Sequence, residues 1–152
     1  MQIDIPGDGS MDLDHLVLDM NGTITHRGEL IHGVSERMDR LRGRLTIDLL
    51  TADTFGSADQ VSRAIGARLT RIETASDKAS FLHALGANNT VAIGNGRNDE
   101  AMLRAARLAI AVIGPEAAWL WTVHFATVVC TSILDALDLL IEPRLLVATL
   151  RR

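Results

Sequence analysis

A chain of 152 residues, 47% of them hydrophobic, is long enough for one domain with a real core and short for two. Its net charge of −4 gives no electrostatic reason to expect nucleic acid or an anionic membrane, which leaves small molecules or proteins as partners. The single cysteine, Cys130, excludes an intrachain disulfide and lies in an apolar stretch, where packing is its expected role. Residues Met1 to Ser10 are polar and acidic, unlike a basic-then-apolar leader. The most apolar region, Leu108 to Cys130, is interrupted by Gly114-Pro115-Glu116 and His124, so neither half approaches the ~18 residues of a membrane span. A soluble, cytoplasmic protein is expected.

Short apolar runs alternate with amphipathic segments, the pattern of a parallel sheet covered by helices. The runs predict six strands, at His15 to Asp19, Leu45 to Thr51, Arg68 to Ile72, Thr90 to Gly94, Leu108 to Ile113 and His124 to Cys130. Between them, helices are expected at about Gly33 to Leu41, Ser57 to Gly66, Asp77 to Leu85, Asn98 to Arg107, Pro115 to Trp121 and Ser132 to Ile141. Ser57 with Gln60 reads as a capping box, and Gly66 and Gly86 stand where helices end on glycine. Asn21 to Ile31 reads as a small hairpin with His26-Arg27-Gly28-Glu29 at its tip. The prediction is one α/β domain over residues 1–152, three-layered and Rossmann-like, with a mainly parallel sheet of about six strands.

Chemistry-bearing residues collect at the strand ends. Asp19 closes an apolar run and leads into Asn21-Gly22, which points a carboxylate out of the edge where open α/β sheets bind ligands. The same string is also what a chain uses to turn. Thr51 ends the second strand with a hydroxyl that could hold a phosphate oxygen, or it simply finishes a strand with a β-branched residue; Asp53 reads as a turn or cap residue. Lys78 is the only lysine, against fourteen arginines, so this position wants a compact ammonium on a flexible stem. It falls in the first turn of a helix, where the macrodipole opposes a cation unless an anion lies between them. The alternative is a surface lysine paired with Asp77 or Glu73. After the fourth strand, Gly94-Asn95-Gly96-Arg97-Asn98-Asp99 combines backbone freedom with oxygens suited to a hard cation. It fails as a dinucleotide loop because Asp99 replaces the third glycine.

An Asp, a Thr, a Lys and an Asn/Asp loop, in that order at successive strand ends, resemble the four motifs of the haloacid dehalogenase superfamily. Asp19-Met20-Asn21-Gly22-Thr23-Ile24-Thr25 is similar to the Asp-Lys-Thr-Gly-Thr-Leu-Thr motif of P-type ATPases and their small soluble relatives. Thr51-Ala52-Asp53 resembles their Thr-Gly-Asp, and Gly94 to Asp99 their Gly-Asp-Gly-x-Asn-Asp. The resemblance covers essentially the whole chain. It implies a Mg²⁺-dependent phosphatase in which Asp19 forms an aspartyl-phosphate later cleaved by water. Thr51, Lys78, Gly22 and Asn98 would bind the phosphoryl group, and Asp19, Asn21, Asn95 and Asp99 would hold the metal.

Two departures carry consequences. Asn21 stands where phosphatases of the superfamily have an acid/base aspartate, and an amide cannot transfer that proton, so poor leaving groups should react slowly. Asn95 replaces a metal-binding aspartate, which weakens the metal site unless Asp99 compensates. The gaps of about thirty residues from Asp19 to Thr51 and about twenty-six from Thr51 to Lys78 hold no cap or nucleotide-binding domain of ~50 residues, so this is no ion pump. An open site suits a phosphorylated small molecule or a phosphoprotein, or a second copy acts as the lid of a homo-oligomer. Trp119 and Trp121 read either as interface residues or as packing against the sheet. Two other readings stand beside the phosphatase: a regulatory or interaction protein with little turnover, and a receiver-like phosphoacceptor. The latter is disfavoured because Asp19 ends the first core strand. Lys78→Ala is expected to leave the fold intact, because it removes a cation that opposes the helix dipole.

Overall fold

The computed structural model of the protein describes residues 1–152. Its centre is a six-stranded sheet of β3 (His15–Asp19), β6 (Thr46–Thr51), β7 (Arg68–Arg71), β8 (Thr90–Gly94), β9 (Leu108–Val112) and β10 (Val128–Cys130). The spatial order is β10-β9-β8-β3-β6-β7 and every pairing is parallel. β3 lies in the middle, in register with β6 through Asp19 opposite Leu50 and with β8 through Leu18 opposite Ile93. The chain therefore leaves β3 toward β6 on one side and returns to β8 on the other, which opens a crevice at the carboxyl ends of β3 and β8. The α/β architecture is the one expected.

Alternation along the strands decides which helices cover which face. Leu16 and Leu18, Val91 and Ile93, and Leu108, Ile110 and Val112 point into the larger core. Helices α1 (Val34–Leu41), α2 (Ala58–Ile65), α6 (Ile133–Ile141) and α7 (Pro143–Leu150) close over that face. On the other face Val17, Ala92 and Ala109 meet Leu82 of α3 (Ala75–Leu85) and Met102 and Leu103 of α4 (Glu100–Ala105). The alanines on this side let α4 approach β8 and β9, and α3, which carries Lys78, packs beside α4. Cys130 is buried in the larger core, as expected. No helix is long and apolar enough to cross a membrane.

Several local expectations need correction. The N-terminal residues are not merely polar: β1 (Gln2–Ile5) and β2 (Gly9–Asp12) form an antiparallel hairpin whose Ile3, Ile5 and Met11 alternate into the core. The predicted helix at Pro115 to Trp121 and the strand starting at His124 are both displaced, because α5 spans Leu120–Phe125 and β10 begins only at Val128. The continuous apolar run gave no boundary between helix and strand there. Ser57 makes no capping bond; it donates to the Gly28 carbonyl, and the Asp53 carboxylate instead accepts from the Ala58 N–H of α2. The genuine capping box pairs Thr74 with Asp77, so α3 starts two residues before the expected Asp77. The expected helix from Asn98 is split into a tight 3₁₀ turn at Arg97–Asp99 followed by α4. The small hairpin is present as β4 (Thr25–His26) and β5 (Glu29–Leu30).

Candidate active site

The turn after β3 is wound tightly around one carbonyl. The N–H groups of Thr23, Ile24 and Thr25 all point to Met20 O at 3.0–3.2 Å, and the Thr25 hydroxyl donates to it as well at 3.1 Å. Gly22 allows this winding with φ +75°, and its N–H is spent on the Thr25 carbonyl at 3.0 Å. A methyl at Gly22 would lie 2.6 Å from Asn95 Nδ2 and 2.9 Å from Glu116 Cβ, so the glycine is needed for space as well as for conformation. The result is an Asp19 side chain held just below the surface and only 6% exposed.

Lys78 reaches Asp19 from α3. Its Nζ lies 2.5 Å from Asp19 Oδ1 and 2.6 Å from Asp99 Oδ1, and the residue is 1% exposed. It is therefore neither a surface lysine nor a partner of Asp77 or Glu73; Asp77 is occupied with the Thr74 cap. Asp99 Oδ2 accepts from the N–H groups of Asn95 and Gly96 at 3.0 and 2.8 Å, so both of its oxygens are engaged and it is wholly buried. Two carboxylates thus share one ammonium, leaving an excess negative charge out of water. Burial pushes the Asp19 carboxyl up, with Asp99 adding to it, and Lys78 and Thr23 pull it back only as far as about 7. Burial alone would depress the Lys78 ammonium, but Asp19 and Asp99 outweigh it and hold it above the ordinary lysine value.

Above Asp19 lies a cavity of about 260 Å³ lined in part by Asp19, Asn21, Thr51, Asn95, Asn98 and Glu116. The structure thus brings together the residues singled out at the ends of β3, β6 and β8, with Lys78 beneath. The Thr51 hydroxyl oxygen accepts the Asp53 N–H at 2.9 Å, which leaves its proton free to point into the cavity. Asn95 is held at both ends of its amide, accepting from the Thr23 hydroxyl at 3.0 Å and donating to the Ala117 carbonyl at 2.9 Å. That carbonyl can only accept, which fixes which end of the amide is oxygen. Thr23 also lies 3.1 Å from Asp19 Oδ2, so one hydroxyl proton serves two acceptors. Asn21 Oδ1 is buried with no partner. A larger hollow of about 580 Å³ between α3 and α4 is floored by alanines and reaches none of Asp19, Thr51 or Lys78. No cluster of three or more acidic, His or Cys side chains capable of holding a metal is present.

No family model matches the sequence. An uncharacterized protein of Methanocaldococcus jannaschii is 51% identical over 61 residues, a stretch that spans 40% of this chain and 66% of that one. Among solved structures, the 3-deoxy-D-manno-octulosonate 8-phosphate phosphatase of Moraxella catarrhalis superposes with a TM-score of 0.69 at 14% identity, over 90% of this chain and 92% of its own. The catalytic domain of the CPx-ATPase CopB-B matches with a TM-score of 0.58 at 17% identity, over 82% of this chain and 46% of that one. A putative haloacid dehalogenase (HAD) family hydrolase of Streptomyces avermitilis superposes with a TM-score of 0.64 at 19% identity, over 84% of this chain and 88% of its own, so the fold is the haloacid dehalogenase-type fold. In this haloacid dehalogenase-type frame, only short segments intervene between β3 and β6, namely the β4–β5 hairpin and α1.

Two site residues escaped the sequence reading. Thr23 ties the β3 turn to Asn95, a role its hydroxyl type permits but nothing in its spacing announces. Glu116 was absorbed into a predicted helix; it sits in the turn after β9, at the same sheet edge as Asp19. The Gly114-Pro115 pair just before it was the available signal, since it ends a buried strand at that edge. Trp119 and Trp121 are 38% and 50% exposed, with the Arg97 guanidinium 5.4 Å from the Trp119 ring centre. The Trp119 N–H donates to Asn95 O at 2.8 Å, which anchors the start of α5 to the loop after β8.

Proposed function

We propose that this protein is a Mg²⁺-dependent phosphatase that works through an aspartyl-phosphate on Asp19. The observation that carries the reading is the buried Asp19 carboxylate, paired with Lys78 and facing a cavity into which Thr51 also opens. Phosphoryl transfer needs placement and charge neutralisation more than covalent machinery. Asp19 Oδ2, the oxygen not engaged by Lys78, attacks phosphorus and the bond to the leaving oxygen breaks. Lys78 offsets the added negative charge, and the Thr51 hydroxyl and the Asn98 amide donate to phosphoryl oxygens. Gly22 contributes shape rather than a donor, because its N–H is already bonded. Asp99 acts by holding Lys78 in place. Water then attacks the acyl phosphate, releasing phosphate and restoring the carboxylate.

The residues at the cavity suit a hard cation. Asp19 and the Asn21 backbone carbonyl offer oxygens, and the unpartnered Asn21 Oδ1 is a buried acceptor that wants a donor such as a cation-bound water. When bound, Mg²⁺ supplies neutralising charge for the phosphoryl oxygens. Asn95 lends at most an amide oxygen that Thr23 already uses. The Moraxella phosphatase, whose structure holds magnesium and phosphate, supports the same chemistry on this frame. Because the Asn21 amide cannot pass a proton, substrates whose leaving groups depart unaided should be preferred by about 10²–10⁴-fold. A phosphorylated small molecule or phosphopeptide fits the open, roughly 260 Å³ cavity.

Phosphate release from acetyl phosphate, p-nitrophenyl phosphate and glycerol phosphate, with Mg²⁺ or with chelator, tests the proposal. The expected result is Mg²⁺-dependent turnover of the first two, abolished by Asp19→Asn. Turnover that survives Asp19→Asn would overturn it.

A further inference from the structure

The phosphatase reading leaves the cation short of charge. Mg²⁺ is held by one or two carboxylates among its oxygens and keeps several waters. Asp19 shares its charge with Lys78 at 2.5 Å, and Asp99 is sealed beneath with both oxygens engaged. Asn95 is neutral and bonded at both ends. One further carboxylate lines the cavity, that of Glu116.

Glu116 is positioned by backbone, not by chance exposure. Its Cβ lies beside Gly22 on the same side as Asn95, as the contacts of a methyl at Gly22 show: 2.9 Å to Glu116 Cβ and 2.6 Å to Asn95 Nδ2. Its Oε1 accepts the Arg27 N–H from the hairpin tip at 3.0 Å, with His26 Nδ1 at 3.8 Å. Its Oε2 makes no hydrogen bond, and the side chain remains 31% exposed. The carboxylate is thus steered at one oxygen and free at the other, and it lines the same cavity as Asn21, whose Oδ1 is buried and unpartnered.

We propose that Glu116 supplies the second anionic ligand for a divalent cation at the Asp19 cavity, replacing the charge that Asn95 lacks. This rests on the phosphatase reading, which puts the cation at Asp19. The ligand set is then Asp19, the Asn21 carbonyl and Glu116 Oε2, completed by water and the substrate phosphoryl group. The β4–β5 hairpin tip, through Arg27, becomes the element that aims the ligand.

Calorimetric titration with Mg²⁺, and with Mn²⁺ followed by its paramagnetic signal, tests this without substrate and without activity. Glu116→Gln is the informative variant, because an amide oxygen can still accept from Arg27 while the charge is gone. It should weaken Mn²⁺ binding at least ~10-fold, the scale on which even outer ligand supports act. Glu100→Gln on α4, a carboxylate outside the cavity, should leave affinity unchanged. Wild-type affinity in Glu116→Gln, alongside lost affinity in Asp19→Asn, would overturn the role of Glu116 and leave the phosphatase reading intact. An equal loss in Glu100→Gln would also overturn it, since the effect would then be long-range charge. No saturable binding by the wild-type protein would overturn both.

Discussion

Replacing Lys78 by Met removes the one cation shared by two buried carboxylates. Asp19 and Asp99 would then face each other with neither water nor a counter-charge, since Lys78 Nζ lies 2.5 and 2.6 Å from them and all three residues are at most 6% exposed. Breaking a buried pair by deleting one partner costs about 3–5 kcal/mol, and methionine fills a similar volume, so little of that cost is cavity. Folding should therefore weaken by about 3–5 kcal/mol near pH 8. This differs from the expectation drawn from the sequence that truncation leaves the fold undisturbed, which weighed the ammonium against the helix dipole and not against a second buried carboxylate. The penalty should shrink on acidification. Without the ammonium the folded-state carboxyl values rise further, so the folded state binds protons that the unfolded chain has released, and stability returns as pH falls. Urea denaturation at pH 8 and pH 5.5, with equal m-values required for the comparison, reads both effects. Wild-type stability at pH 8 would refute the shared-ammonium network. Lys78→Arg should also lose at least ~10²-fold in kcat, because a planar guanidinium does not fit where one ammonium meets two carboxylates.

Other outcomes follow from the same contacts. Asp19→Asn should stabilise the metal-free protein above pH 7, because it turns two carboxylates and one ammonium into a neutral pair. With the folded value raised from 3.8 to about 7, the wild-type contribution is intact below about pH 4 and lost by about pH 7. The gain therefore grows across that window toward an upper bound of roughly 4 kcal/mol, measurable by denaturation in chelator. A flat difference across that range would contradict it. Asn21→Asp should raise kcat/KM for glycerol phosphate by ~10²-fold or more while barely changing p-nitrophenyl phosphate; equal changes for both would remove proton transfer as the limitation. Gly22→Ala should lower the melting temperature, through strain at φ +75° and the 2.6 Å clash with Asn95, and no change would mean the turn relaxes freely.

Periodicity made the sheet legible. Buried runs that end on Asp19, Thr51 and Gly94 lie as expected at the carboxyl edge, in neighbouring strands. What periodicity could not supply was the boundary inside Leu108 to Cys130, where helix α5 and strand β10 are both apolar and no glycine separates them. Nor could it find the N-terminal hairpin, whose polar outer face masks the alternation of Ile3, Ile5 and Met11. At the site, residue type marked Asp19, Lys78 and Asp99 as chemically loaded, but not that Asp99 faces Lys78. That depends on the 3₁₀ turn at Arg97–Asp99 folding the carboxylate back onto two backbone N–H groups. Asp53 read as a turn or cap residue; at a left-handed φ of 57° its carboxylate accepts the Ala58 N–H at the start of α2.

The proposed mechanism turns on phosphorylation of Asp19. Acid quenching of the protein during turnover of acetyl phosphate with Mg²⁺, followed by intact-mass and peptide analysis, addresses it directly. A single phosphoryl adduct is expected on the peptide carrying Asp19, removed by hydroxylamine as an acyl phosphate must be and absent in Asp19→Asn. Sustained turnover with no such adduct, or an adduct that maps to another residue, would contradict it.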